Sequence, residues 1–128
     1  MNNSAGRKKS SFTARLLSFR YAFRGILCVT RAQPNFRIQL VFAVLVILAG
    51  FFFSISSFEW IVLMLTIAIV LSLEMLNSAI EYLVDLVTQE DNPLAGKVKD
   101  IAAGAVLIAA IFAMIIGLII FIPKILSL

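Results

Sequence analysis

Four polar residues in one apolar stretch of the chain carry most of its capacity for chemistry. Spacings of three, four and four residues separate Glu74, Asn77, Glu81 and Asp85, which we call the polar stripe. On an α-helix, which turns by about 100° per residue, these spacings bring all four side chains onto one narrow face. Ionisable groups inside a membrane are costly and normally face a protein interior or an aqueous cavity. The polar stripe therefore predicts a functional site.

The helix that carries the polar stripe is predicted to belong to an all-α membrane protein. The chain has 128 residues, and 62% of them are hydrophobic, which is well above the usual proportion in soluble domains. Three segments are apolar enough to cross a bilayer, which takes about 20 helical residues. We predict these spans at residues 35–55, 58–87 and 99–122, with Pro123 closing the third.

The segment before the first span has a different pattern. Residues 1–10 are polar and basic and are predicted to be a disordered N-terminus, leaving residues 11–128 as one membrane domain. Over residues 11–33, apolar side chains recur at helical spacing and arginines share another face. This pattern predicts an amphipathic helix that lies on the membrane surface.

Basic residues indicate how the chain is oriented. Of the 11 Lys and Arg residues, eight precede or open the first span, so the N-terminus is expected in the cytoplasm. Lys124 is a weak argument against this orientation. The basic residues lie beside a span and accompany no nucleic-acid motif, so anionic lipid headgroups are the expected partners. One Cys and no His exclude an internal disulfide and a Cys/His zinc site.

The depth of the polar stripe limits what it can do. Counting from Phe58 at the outer boundary, with a rise of about 1.5 Å per residue, Glu74 lies roughly 24 Å deep and Glu81 roughly 35 Å deep. The hydrocarbon core is about 30 Å thick, so the two carboxylates straddle its inner boundary. Glu74 could activate a lipid hydroxyl, and Glu81 could hold Mg²⁺. Lys99 and Asp100 open the third span at the same surface.

Three interpretations remain open on the residues alone. The first is a functional acidic site, for which phosphoryl transfer to a lipid is one candidate reaction. The second is a proton or ion relay in a small oligomeric transporter, and the third is polar contact between helices or a solvated helix end, without enzymatic activity. The sequence does not contain the glycine-rich phosphate-binding loop of the nucleotide-binding P-loop proteins. The Gly96-Lys97 pair is followed by Val98, where that loop requires Ser or Thr.

Two segments resemble a known family. They are EMLNSAIEYLVD at residues 74–85 and KVKDIAAGAVL at residues 97–107, and they resemble the small prokaryotic membrane kinases of the diacylglycerol kinase family, which includes undecaprenol kinases. The similarity covers residues 12–122. It implies a homotrimer in the bacterial inner membrane that uses ATP and Mg²⁺. The reaction would convert diacylglycerol to phosphatidic acid, or undecaprenol to undecaprenyl phosphate.

The resemblance also implies roles for individual residues. Glu74 matches the proposed catalytic base, and Asn77 lies one turn further on, where it can orient the reacting groups. Glu81 matches a glutamate that binds both metal and nucleotide, and Ala103 joins Glu74 in the lipid-substrate site. The matches to the nucleotide site are Arg15, Tyr21, Glu81, Asp85, Glu90, Asp91, Asn92, Lys99 and Asp100.

Three positions depart from the family pattern. Gln33 stands where a second metal-binding glutamate is common, and an amide can coordinate a metal through its carbonyl oxygen but brings no negative charge. Gln39 stands where many undecaprenol-type members have His, within an Arg-Ile-His segment, and Asn92 replaces a frequent loop His. The Arg37-Ile38 pair favours the undecaprenol type slightly.

Overall fold

In residues 11–128, the part of the chain that the computed structural model describes, helices are the only regular secondary structure, with no strand. The helices are α1 (Ser11–Ala32), α2 (Pro34–Phe52), α3 (Ser57–Val87) and α4 (Pro93–Leu126). The last three are each long and apolar enough to cross a membrane. The predicted all-α architecture with three spans is therefore confirmed. The surface location of α1 and the trimer stay predictions, and the predicted disordered segment 1–10 lies outside the described residues.

The break between α1 and α2 has a local cause. Gln33 has an extended backbone, with φ −109° and ψ 108°, because a proline disfavours helical geometry in the residue before it. Pro34 then opens α2, at a position where a helix makes no use of the backbone N–H. Gln33 is the N-cap of α2, and its backbone bonds to both flanking helices while its side chain reaches Glu81 of α3.

A capping box begins α3. The Ser56 Oγ accepts a hydrogen bond from the Glu59 backbone N–H at 3.2 Å, and the Glu59 Oε2 accepts one from the Ser56 backbone N–H at 2.7 Å. From this start α3 runs for 31 residues, a length of about 46 Å at 1.5 Å per residue. Since a hydrocarbon core is about 30 Å thick, the last turns of α3 extend beyond it.

Helix α4 is longer at both ends than the predicted span over residues 99–122. It begins at Pro93 because the Asn92 Oδ1 accepts hydrogen bonds from the backbone N–H groups of Leu94 and Ala95 at 2.9 and 3.3 Å. It continues to Leu126, so the expectation that Pro123 closes it is wrong. A proline in the last turn removes a single helical hydrogen bond, and the Lys124–Glu59 ion pair at 3.2 Å ties this turn to α3.

Helix α3 is the centre of the packing, with α4 as its most extensive neighbour and α2 on another side. Near the loop between α2 and α3, a small apolar core forms around Ile55, Leu63 and Ile120. Most other large apolar side chains of the spans point outward and are exposed. That surface suits contact with lipid tails or with further copies of the chain.

Candidate active site

The polar stripe lies in the helix packing and becomes more exposed towards the C-terminal end of α3. Glu74 is 3% exposed and Asn77 is 9% exposed. Glu81 is half-buried, and Asp85 is exposed. A carboxylate buried as deeply as that of Glu74 requires hydrogen-bond donors nearby.

Gln39 of α2 supplies a donor to Glu74. Its side-chain Nε2 donates a hydrogen bond to the Glu74 Oε2 at 3.0 Å. Hydrogen bonds to an ionised carboxylate are stronger than those between neutral groups. The other oxygen, Oε1, makes no hydrogen bond with residues 11–128 and so keeps the capacity to accept a proton. This arrangement suits a general base.

Two amides hold the carboxylate of Glu81. The Glu81 Oε1 accepts a hydrogen bond from the Asn77 Nδ2 at 3.1 Å, and the Oε2 accepts one from the Gln33 Nε2 at 3.2 Å. The structure therefore brings Gln33 next to Glu81, the two residues to which sequence analysis assigned the metal. Binding of a metal by this pair stays a prediction.

The residues around Glu81 fit Mg²⁺. Carboxylate and amide oxygens are the hard ligands that this ion prefers, and the Asn77 Oδ1 is buried without a hydrogen-bond partner in the described chain. Such an oxygen is more stable with a cation or a donor beside it. Residues 11–128 contain no group of three His, Cys, Asp or Glu side chains placed to hold a metal. Phosphate oxygens and water would therefore have to complete the coordination, as is usual for Mg²⁺.

An ion pair lies at the shallow end of the polar stripe. The Lys99 Nζ of α4 and the Asp85 Oδ1 of α3 are 2.6 Å apart, with side chains 39% and 59% exposed. Lys99 is thus held beside the stripe, at the surface, where a phosphate could reach it. Asp100 is exposed next to it.

The remaining predicted site residues are not joined to the two glutamates in a single chain. Among residues 11–128, Arg15 and Tyr21 of α1 make no hydrogen bond or ion pair with the stripe, and both are exposed. Ala103 is exposed on α4. The loop residues Glu90, Asp91 and Asn92 are exposed as well, and the Asn92 side chain caps α4.

Sequence reasoning missed two contributions to the site. The sequence marks Gln39 only as a departure from the family pattern that could change affinity or substrate choice, and not as a partner of Glu74. A single polar side chain within the apolar segment of α2 is the sequence feature that could have indicated a contact with the polar stripe. For Ser78 the sequence suggests at most a hydrogen bond with Glu74 of a neighbouring helix. In the structure Ser78 is fully buried, and its Oγ donates within α3 to the Glu74 backbone carbonyl at 3.0 Å. It lies one residue beyond Asn77, inside the stripe segment.

Fold and site together define a class: a three-span helical membrane protein with a buried, amide-bound glutamate two turns before a second, half-buried one. The chain belongs to the prokaryotic diacylglycerol kinase family, since the family model described as "Prokaryotic diacylglycerol kinase" matches residues 20–121. It is therefore a lipid kinase, a transferase of lipid metabolism in a bacterial membrane.

Curated relatives carry two names. The chain is 46% identical over 107 residues to the undecaprenol kinase of Bacillus subtilis, covering 84% of this chain and 87% of that one. It is also 46% identical over 114 residues to a diacylglycerol kinase of Synechocystis sp., covering 88% of this chain and 65% of the relative. The diacylglycerol kinase of Escherichia coli K12 is 31% identical over 114 residues, which is 89% of each chain.

Proposed function

We propose that the chain transfers the γ-phosphate of ATP to the hydroxyl of a membrane lipid alcohol, either undecaprenol or diacylglycerol. The observation that carries the proposal is the state of Glu74: it is buried, one carboxylate oxygen is held by Gln39, and the other makes no hydrogen bond in the described chain. A carboxylate oriented in this way can take up the proton of a hydroxyl that arrives from the lipid phase.

The reaction is a single displacement at phosphorus. The lipid hydroxyl oxygen forms a bond to the γ-phosphorus while its proton passes to the Glu74 Oε1. The bond between the γ-phosphorus and the β,γ-bridging oxygen breaks, and ADP leaves with that electron pair. Asn77 lies between the two glutamates and orients the groups that meet there.

The shallow end of the polar stripe would bind the phosphates. Glu81, Gln33 and Asn77 would hold Mg²⁺, which when bound offsets negative charge on the β- and γ-phosphates. Lys99 would exchange part of its contact with Asp85 for a phosphate oxygen. The expected nucleotide contacts further out come from α1 and the exposed loop: Arg15, Tyr21, Glu90, Asp91, Asn92 and Asp100.

We also propose that a homotrimer completes the site, with the N-terminus and the site on the cytoplasmic side. In the described part of one chain, no hydrogen bond or ion pair links Lys99 or Asp100 to either glutamate of the site. A second copy of the chain could bring its Lys99 to these glutamates. The alanine-rich first half of α4 supports close helix approach, and the arginines before α2 support the orientation.

Lipid phosphorylation by the purified protein in mixed micelles, with labelled ATP and Mg²⁺, tests the proposal. We expect labelled lipid phosphate from the wild type. Glu74→Gln should lower kcat by about 100-fold or more, because general base catalysis contributes about 10²- to 10⁴-fold. Equal rates for the two proteins would refute the role of Glu74. Undecaprenol and diacylglycerol offered together identify the preferred substrate, and proton-driven uptake into sealed vesicles without ATP would support a transporter instead.

A further inference from the structure

Gln39 is a polar residue in an otherwise apolar part of α2, and it is only partly exposed. Its two side-chain polar atoms differ in their surroundings. The Nε2 donates to the Glu74 Oε2 at 3.0 Å, whereas the Oε1 is buried and has no hydrogen-bond partner in the described residues. Leaving a buried carbonyl oxygen unpaired is unfavourable.

The orientation of this amide follows from Glu74. When Glu74 is ionised, as the proposed role of general base requires, rotating the amide by 180° would place the Gln39 oxygen against the Glu74 oxygen, and two acceptors at 3.0 Å repel each other. The orientation that lets the Gln39 Nε2 donate to Glu74 therefore leaves the Gln39 Oε1 without a hydrogen-bond partner in the described residues. A side chain that served packing alone would be more stable as an apolar residue of the same size, since both polar atoms would then be absent.

We propose that Gln39 is a positioning residue for the reacting carboxylate. By holding the Oε2, it fixes the rotation of the carboxyl group, so that the Oε1 faces the place where the lipid hydroxyl arrives. Without the donor, the carboxylate can rotate or turn towards other polar groups. This inference rests on the proposed function, because it assigns Gln39 a role through Glu74.

Three substitutions separate the donor from the shape of the side chain. Gln39→Met keeps length and removes the N–H. Gln39→Glu keeps the shape and replaces the N–H with an oxygen. Gln39→His changes the shape but keeps a donor, because the His Nε2 is as many bonds from the Cα as the Gln Nε2 is. If Gln39 serves only packing, Gln39→Met should keep the highest kcat of the three variants. If Gln39 positions Glu74, Gln39→His should keep the highest kcat.

The test measures kcat, the KM for MgATP and the thermal unfolding midpoint of each variant in micelles. We expect Gln39→Met and Gln39→Glu to lower kcat by about 10- to 100-fold, since small misplacements of a reacting group have effects of this size. The KM for MgATP should stay within about twofold, because Gln39 contacts Glu74 and not the stripe's shallow end. Gln39→His should restore kcat to within about fivefold of the wild type.

Wild-type kcat in Gln39→Met, or a kcat in Gln39→His as low as that in Gln39→Met, would overturn the inference. If Gln39→Met does not fold, the kcat of Gln39→Glu is compared with that of Gln39→His instead, and equal values would overturn the inference. Failure of the inference differs from failure of the proposed function. In the first case Glu74→Gln is inactive while the Gln39 variants are active, and in the second Glu74→Gln itself retains the wild-type rate.

Discussion

Replacing Gln33 with glutamate tests whether residues 33 and 81 share a bound Mg²⁺, because it puts a second negative charge next to Glu81. In the wild type, the Gln33 Nε2 lies 3.2 Å from the Glu81 Oε2 and donates a hydrogen bond to it. Gln33→Glu puts a carboxylate oxygen in that place. Two unit charges at this separation repel by about 1.3 kcal/mol with the dielectric constant of water, and by about 5 kcal/mol at an effective dielectric constant of 20. Both side chains are half-buried, so the repulsion lies between these limits.

Whether the added carboxylate of Gln33→Glu is unfavourable or favourable depends on whether Mg²⁺ is bound. Without a divalent cation, Gln33→Glu should lower the free energy of unfolding by about 1–3 kcal/mol, because the side chains can move apart and relieve part of the repulsion. With Mg²⁺ bound, the same two carboxylates become ligands. The Mg²⁺ concentration for half-maximal activity should therefore fall by about tenfold, the equivalent of 1.4 kcal/mol.

Two measurements check this prediction: lipid phosphorylation as a function of free Mg²⁺, and thermal unfolding in EDTA and in Mg²⁺. Gln33→Met is the matched control, since it removes the hydrogen bond without adding a charge, and Mg²⁺ should raise its unfolding temperature by less than that of Gln33→Glu. If Gln33→Glu shows the wild-type Mg²⁺ dependence and unfolds alike with and without Mg²⁺, Gln33 and Glu81 do not share a metal.

Two further substitutions address the phosphate contact and the packing. Lys99→Met should raise the KM for ATP by about tenfold, as expected for one lost charge contact. It should change stability by no more than about 1 kcal/mol, since its pair with Asp85 is exposed and screened; unchanged ATP kinetics would remove Lys99 from the site. Gly50→Ala would place its Cβ 2.8 Å from the Trp60 Cη2, so thermal unfolding should show a loss of about 1–3 kcal/mol. Gly25→Ala, whose Cβ meets nothing within 4 Å, is the control and should not be destabilised.

Much of the fold and part of the site follow from local patterns. Long apolar runs determine the three spans, because a bilayer requires that length of helix whatever the tertiary arrangement. The stripe spacing places Glu74, Asn77 and Glu81 on one face of α3 through helix geometry alone. Gln33 precedes a proline, and this pair breaks the chain between α1 and α2. Each of these features depends on residues close together in the sequence.

The long-range partners of the two glutamates were decided by the tertiary structure, whereas the Asn77 bond to Glu81 spans only four residues of one helix. Gln39 and Glu74 are 35 positions apart, and Gln33 and Glu81 are 48 apart. Which amide meets which carboxylate depends on how far α2 slides and rotates along α3, and a shift of one residue would turn Gln39 by about 100° away from Glu74. No local pattern encodes that register. It follows from the packing of whole helices against one another, which brings the Gln39 amide to Glu74 and the Gln33 amide to Glu81.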